Sequence, residues 1–204
     1  MNSENLFSFA SPELRQILNE NATIQKFPAN TELLREGQYV KVIPLVLEGL
    51  IKVFSRFDTK ELLLYYIQPE ESCIMSFSSG LRREPSKVFA VTEEESLIAL
   101  LPSDKVESLV QQHPDFNKLF FQQYNQRYGE LLETIHQVLF NRMDVRIIDF
   151  LRKRSQLLHQ NPLKISHARI AAELGTAREV VSRAVKRLET EGTLAQTEDG
   201  IKLL

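Results

Sequence analysis

The sequence predicts an α+β chain: an N-terminal β-barrel or jelly roll, one long helix, and a C-terminal winged helix-turn-helix. Three observations carry that prediction. Short β-prone segments separated by turn residues run from about Ile24 to Leu101, an uninterrupted helical pattern follows from about Asp115 to Asn141, and residues 165–188 read ISHARIAAELGTAREVVSRAVKRL. The expected boundaries are 1–111 for the barrel domain, 112–141 for the connecting helix and 142–204 for the C-terminal domain.

The chain opens with a short helical piece. SPELRQILNE, residues 11–20, offers a serine cap, an early proline and helical apolar spacing. From Ile24 the period changes. Val42–Leu47, Leu50–Phe57, Glu61–Ile67 and Leu97–Leu101 are β-branched or aromatic-rich, with turn residues at roughly 8–12 spacing, the pattern of a small barrel. Between Asp115 and Asn141 there is no proline and a single glycine, Gly129. There Phe121, Tyr124, Tyr128, Leu131, Ile135 and Val138 recur at alternating spacings of three and four, a heptad seam that calls for a partner helix. Packing of the seam onto the chain's own barrel is the alternative. A further helix opens the last domain at Met143 and runs to about Arg154.

In residues 165–188 Ser166 can cap a helix whose Ile170 and Leu174 share one face, and Gly175 can end it, since glycine takes the left-handed conformation without strain. A second helix starts near Thr176 or Ala177. Its Val181, Ala184, Val185 and Leu188 fall on the packing side, while Arg178, Glu179, Ser182 and Arg183 fall on the other. That division is how a helix-turn-helix presents polar side chains to base edges. Arg178 and Arg183 carry planar forks that match guanine O6 and N7, Glu179 can accept from the cytosine amino group, and Ser182 can contact either. Ser166, His167, Arg169, Lys186 and Arg187 are better placed for phosphates, which fix register but carry little sequence information. After Glu191-Gly192, TLAQTEDGIKLL holds two β-prone runs around Asp199-Gly200, a hairpin signal, with Lys202 as its one basic side chain. A solvated helix face is the competing explanation for the charges.

The distribution of charge agrees. Residues 1–141 carry 13 Lys and Arg against 19 Asp and Glu, and residues 142–204 carry 12 against 8. The basic part is the one with the helix-turn-helix, as phosphate binding requires. One cysteine excludes an internal disulfide and a cysteine-ligated cluster. No apolar stretch approaches the ~20 residues of a membrane span, and MNSENLFSFA lacks a secretory pattern, so a cytoplasmic protein with no membrane partner is expected. No phosphate loop, nucleophile–base constellation or metal-ligand cluster marks an enzyme. Four histidines, His113, His136, His159 and His167, include no pair at ligand spacing for haem or a metal.

The residues quoted resemble the Crp/Fnr-type bacterial transcription regulators over essentially the whole length. The segment I-S-x-x-x-I-A-x-x-L-G-x-x-R-E-x-V-S-R-x-V-K-x-L from Ile165 to Leu188 is specific to that family. REGQYVKVIPLVLEGLIKVF is similar to the family's cyclic-nucleotide-binding barrel, with Gly37 and Gly49 at its glycine turns and E-G-x-I-K-V at Glu48–Val53. The resemblance implies a sensor role for the barrel and dimerisation through the long helix. It also implies a homodimer on a palindromic site in double-stranded DNA, base contacts from Arg178, Glu179 and Arg183, and RNA polymerase as a further partner.

The effector region departs from the family pattern. The cassette's Gly-Glu pair, which holds the ribose, aligns with Ser72-Cys73. Arg83 can take the phosphate position beside Arg82, but Glu84 replaces the hydroxyl residue and sets a negative charge next to a phosphate. Leu131 and Leu132 stand where cyclic AMP binders present hydroxyls. An ordinary cyclic AMP response is therefore not expected. The open alternatives are an unidentified small-molecule effector held through Arg82 or Arg83, redox sensing by Cys73 near those arginines, or no ligand at all. A sensor module acting through protein partners is the competing function, and it leaves Arg178, Glu179 and Arg183 unexplained.

Overall fold

The computed structural model describes Phe7 and residues 10–57, 60–140 and 142–204, with side chains described except at 60, 115 and 136–140. Two units emerge: Met1–Ser55 with Leu64–Glu130, and Arg56–Leu63 with Leu131–Leu204.

The first unit begins with α1 (Pro12–Asn21), where the Ser11 hydroxyl accepts from the Leu14 amide at 3.4 Å and Pro12 takes the first turn, in which its missing N–H costs nothing. Then come β1 (Thr23–Phe27), β2 (Glu32–Leu34), β3 (Val42–Glu48), β4 (Ile51–Phe57), β5 (Lys60–Ile67), β6 (Phe89–Thr92) and β7 (Ser96–Pro102). They form two sheets, ordered β1-β7-β3 and β2-β6-β4-β5. Val46 and Ile98 from the first sheet share one buried cluster with Ile51, Val53 and Ile67 from the second, so the sheets close face to face as a jelly roll does. The β-prone segments expected from the sequence lie on β3, β4, β5 and β7, each within a residue or two of its strand ends.

Two helices lie outside what the spacing announced. α2 (Ile74–Arg82) is too short for its period to be read, and α3 (Ser103–Gln112) follows β7 with no side-chain cap. α3 and α1 bury Val106, Leu109, Leu14 and Leu18 against Ile43, Leu45 and Leu101 of the first sheet. The β3–β4 turn depends on Gly49 at φ +94°, whose missing Cβ would stand 2.3 Å from Ser96 Oγ and 2.8 Å from the Glu95 carbonyl oxygen.

α4 (Pro114–Phe140) carries two stripes. Phe116, Phe120, Gln123 and Arg127 are buried, whereas Phe121, Tyr124, Tyr128, Leu131 and Ile135 are each about half exposed or more. Within the first unit, Phe121, Tyr124 and Tyr128 thus leave the seam face of α4 largely exposed. The Val138 side chain lies outside the described residues.

The second unit contains α5 (Met143–Leu158), α6 (His167–Glu173), α7 (Arg178–Thr190), β8 (Leu194–Thr197) and β9 (Gly200–Leu203). α5 runs one turn past the expected end and stops at His159 in a left-handed conformation, φ 50°. One core joins Ile147 and Leu151 of α5, Ile170 of α6, Val181, Val185 and Leu188 of α7, and Leu194 and Ile201 of the hairpin.

Replacing Gly37 and Gly49 separates backbone strain from a steric clash. Gly37 also has positive φ, +81°, but nothing stands within 4 Å of its missing Cβ. Gly37→Ala should cost about 1–2 kcal/mol of stability, and Gly49→Ala roughly 3 kcal/mol or more. Urea unfolding of both variants checks this; equal losses would contradict the clash.

Candidate nucleic-acid interface

The helix pair at the end of the chain is fixed by local chemistry. Ser166 Oγ accepts from the Arg169 amide at 3.1 Å and starts α6. Gly175, at φ +64°, reverses the chain after Leu174. The Thr176 amide donates back to the Ala171 carbonyl at 2.9 Å and Gly175 to Ala172 at 3.2 Å, satisfying carbonyls that the helix end leaves open. α7 then begins after Ala177 without a side-chain cap, with Glu179 in its first turn, where the helix dipole favours a negative charge.

Val181, Ala184, Val185 and Leu188 are all buried in α7 and lock it against α6 and α5. Their helical spacing turns Arg178, Glu179 and Arg183 to solvent. Among the described residues, Arg178 and Arg183 have no ion pair, and their guanidinium groups accordingly keep all donors for an incoming partner. Ser182 is half-buried, its hydroxyl 3.0 Å from His167 Nδ1. A residue assigned to bases and one assigned to phosphates are therefore tied to each other across the helix pair, a link that linear spacing does not reveal.

The phosphate-facing candidates divide. Ser166, Lys186 and Lys202 are exposed, the first with its hydroxyl already engaged as the α6 cap. Arg187 is held by the Asp144 carboxylate on α5, and Arg169 donates to Glu173 at 2.9 Å. Each of these two arginines is thus already paired with a carboxylate. The wing's turn also sits one residue earlier than the Asp-Gly signal implied. Thr197 pairs with Gly200, so Glu198 and Asp199 form the turn and Gly200 opens β9 at φ +130°. Glycine is required there because a Cβ would stand 2.2 Å from the Leu163 carbonyl oxygen.

A buried ionic group supports the platform. Glu173, 2% exposed, lies 2.9 Å from Arg169 Nε and 3.9 Å from Arg154 Nη1 on α5. Beside it Arg146 Nη2 donates to the Leu174 carbonyl at 2.9 Å, and burial lowers the Arg146 pKa.

In the barrel unit, the four residues expected to form an effector pocket are not brought together. Cys73 is fully buried at the N-cap of α2, its sulfur accepting from the Ser76 amide at 3.4 Å, and Ser72 is buried with its hydroxyl on the Pro44 carbonyl at 2.7 Å. Arg82 and Arg83 sit at the other end of that helix, about 13 Å along its axis at 1.5 Å per residue. Both are exposed and paired, with Glu84 at 2.9 Å and Glu107 at 3.8 Å respectively. Glu84 therefore engages Arg82, and neither arginine lies beside the cysteine.

Sequence reasoning missed the residue that does reach this region, Arg127. Its side chain, 4% exposed, donates to Glu71 and, at 2.9 Å, to Glu130, and its guanidinium lies 4.6 Å from the centre of the Tyr65 ring. Burial alone would lower the Arg127 pKa, but the two carboxylates more than offset it and hold the group above its usual value. Tyr65 is itself pushed well up by burial and by Cys73, whose sulfur is 3.8 Å from the phenol oxygen. A charged residue in register with Phe116, Phe120 and Gln123 was the available signal.

Two domain families match the chain. Residues 24–113 match the cyclic nucleotide-binding domain, and residues 145–204 match the Crp-like helix-turn-helix domain. The cAMP-activated global transcriptional regulator CRP of Haemophilus influenzae is 23% identical over 180 residues, covering 84% of this chain and 79% of the relative. Among solved structures, a Crp/Fnr-family regulator from Eubacterium rectale superposes with TM-score 0.84 at 21% identity, covering 100% of this chain and 95% of the other. The c-di-GMP responsive global regulator CLP of Xanthomonas campestris gives 0.81 at 20% identity, covering 93% and 97%.

The Glu173 group generates a stability prediction. Glu173→Ala withdraws the carboxylate shared by two arginines and should destabilise the chain by roughly 3–5 kcal/mol, whereas Glu173→Gln keeps an acceptor and should cost less. Thermal unfolding measures both. A neutral Glu173→Ala would show that the group contributes nothing to holding α6.

Proposed function

Since the chain belongs to the Crp/Fnr-type family of transcription regulators, proteins that are not enzymes, we propose that it binds a palindromic operator as a homodimer and reads bases through α7. The observation that carries this reading is the pair Arg178 and Arg183, exposed and, among the described residues, without ion pairs, on the face opposite a buried apolar stripe. Each fork matches the two acceptors of guanine in the major groove, and Glu179 between them accepts from cytosine. Exposed Lys186 and Lys202 supply phosphate contacts that set register.

The dimer is supported by the α4 stripe. Phe121, Tyr124, Tyr128, Leu131 and Ile135 form an exposed apolar line on one face of a 27-residue helix, and a second copy of that line is its natural complement. Two-fold symmetry in the protein then requires two-fold symmetry in the site. The dimer acts on transcription through RNA polymerase. It does not answer cyclic AMP in the usual way, a reading supported by Cys73 at the ribose position and by the outward pairing of Arg82 and Arg83. No described helix is long and apolar enough to cross a membrane.

Selection of duplexes from a random pool, followed by binding titrations at several salt concentrations, tests the reading. The parent should yield a palindrome. Arg183→Ala should lose about 1–3 kcal/mol on that palindrome and lose preference at one position per half-site, whereas Lys186→Ala should weaken all duplexes alike and reduce the salt slope by about 1 per half-site. If Arg183→Ala bound every sequence as the parent does, base reading by α7 would be refuted.

A further inference from the structure

Within the barrel unit, the loop from β5 to α2 is clasped by α4 through groups that need no ligand. Gln123 is the first. Its Oε1 accepts from the Ser72 amide at 2.9 Å, and its Nε2 donates to the Glu70 carbonyl at 3.4 Å. One turn on, Gln126 donates to Glu71 at 3.2 Å, and Arg127 bridges Glu71 and Glu130 while covering the Tyr65 ring. Tyr65 in turn contacts Cys73, the N-cap of α2. The loop ends at Ser72-Cys73, the pair that aligns with the sugar-binding Gly-Glu of a nucleotide cassette, and here side chains of the protein itself engage Glu70, Glu71 and Ser72.

The space available agrees with that arrangement. The cavity between the sheets, lined by Ile51, Ile67, Ala90 and Leu100 among others, holds about 160 Å³. Ligand pockets for small molecules run to roughly 300–1,000 Å³. A larger cavity of about 690 Å³ lies between α2 and α4, but its wall is chiefly apolar, with Ile74, Phe77, Leu81 and Phe120, and it shares Phe121 and Tyr124 with the exposed seam. The polar side chains on that wall are Ser78, Arg82, Asn117 and Lys118, and Arg82 is already paired with Glu84.

We propose that this latch stands in for an effector: Arg127 and Gln123 fasten α4 to the β5–α2 loop, so the helix presents its seam, and the protein dimerises and binds DNA, with no cyclic nucleotide. Arg127 is a positioning residue in this scheme. It acts through α4, whose seam residues Phe121, Tyr124 and Tyr128 form a separate, exposed face of the same turns. The proposal rests on the homodimeric DNA-binding reading above, and dimerisation provides a readout that does not depend on DNA.

The test uses the full chain, freed of small molecules by dialysis, with mass spectrometry of the denatured protein to verify that no nucleotide remains. Dimer dissociation is followed by sedimentation, and affinity is measured for the duplex that the parent selects, with and without saturating cyclic AMP or cyclic GMP. The parent should dimerise and bind equally well in all three conditions. Arg127→Met should weaken dimerisation and operator binding about tenfold or more, with Arg127→Lys intermediate because an ammonium cannot fork between two carboxylates. If Arg127→Met does not fold, Gln123→Ala, which strands no charge, carries the same expectation in smaller degree. A parent that needs a nucleotide for tight dimerisation or binding overturns the proposal, as do latch variants indistinguishable from the parent. If the parent selects no duplex while Arg127→Met still weakens the dimer, the DNA reading fails and the latch stands.

Discussion

The burial of one apolar stripe on α7 is the constraint on which the functional surface depends. Val181, Ala184, Val185 and Leu188 are committed to a core that also contains Ile147, Leu151 and Ile170. With those four inside, helical geometry leaves Arg178, Glu179 and Arg183 no direction but outward. Exposure of the charges is therefore a consequence of packing, and the rigidity of the charged face is that of the core beneath it. Hydrogen bonding adds a second constraint, since the Ser166 cap and the backbone bonds around Gly175 fix where α6 ends and α7 begins.

The same economy appears in α4, where two stripes serve two surfaces. Phe116 and Phe120 bury into the cluster formed by α1, α3 and the first sheet, and Gln123 and Arg127 continue that line as polar groups meeting a polar loop. The other stripe remains apolar and exposed. A helix that is anchored on one side and apolar on the other has its azimuth set by the anchor. An ion pair buried this deeply gives little net stability against an apolar replacement, and its value lies in fixing one orientation.

Much of this was legible in the sequence because the signals were local. Serine caps at Ser11 and Ser166, glycine at position 175, the β-branched and aromatic runs of β3 to β5 and the seven-residue repeat of the seam each involve neighbours a few residues apart. The Crp/Fnr resemblance drew on the same local runs. What stayed hidden were contacts between distant segments. The Arg127–Glu71 and Arg187–Asp144 pairs and the His167–Ser182 link join residues from 15 to 56 positions apart. The outward setting of Arg82 and Arg83 follows from α2, a nine-residue helix whose cap is a cysteine, a weak hydrogen-bonding group that does not announce a helix start. The wing's turn was displaced because Gly200 is needed for its close approach to Leu163, not for the turn itself.

Contact between the arginine forks of α7 and guanine edges in the major groove can be probed from the DNA side. Replacing single guanines of the selected duplex by 7-deazaguanine removes the N7 acceptor and leaves base pairing intact. At the guanines read by Arg178 or Arg183 the parent protein should lose roughly 1–3 kcal/mol of affinity, and Arg183→Ala should be insensitive at its own position. Uniform affinity for every substituted duplex would exclude guanine contact by these arginines.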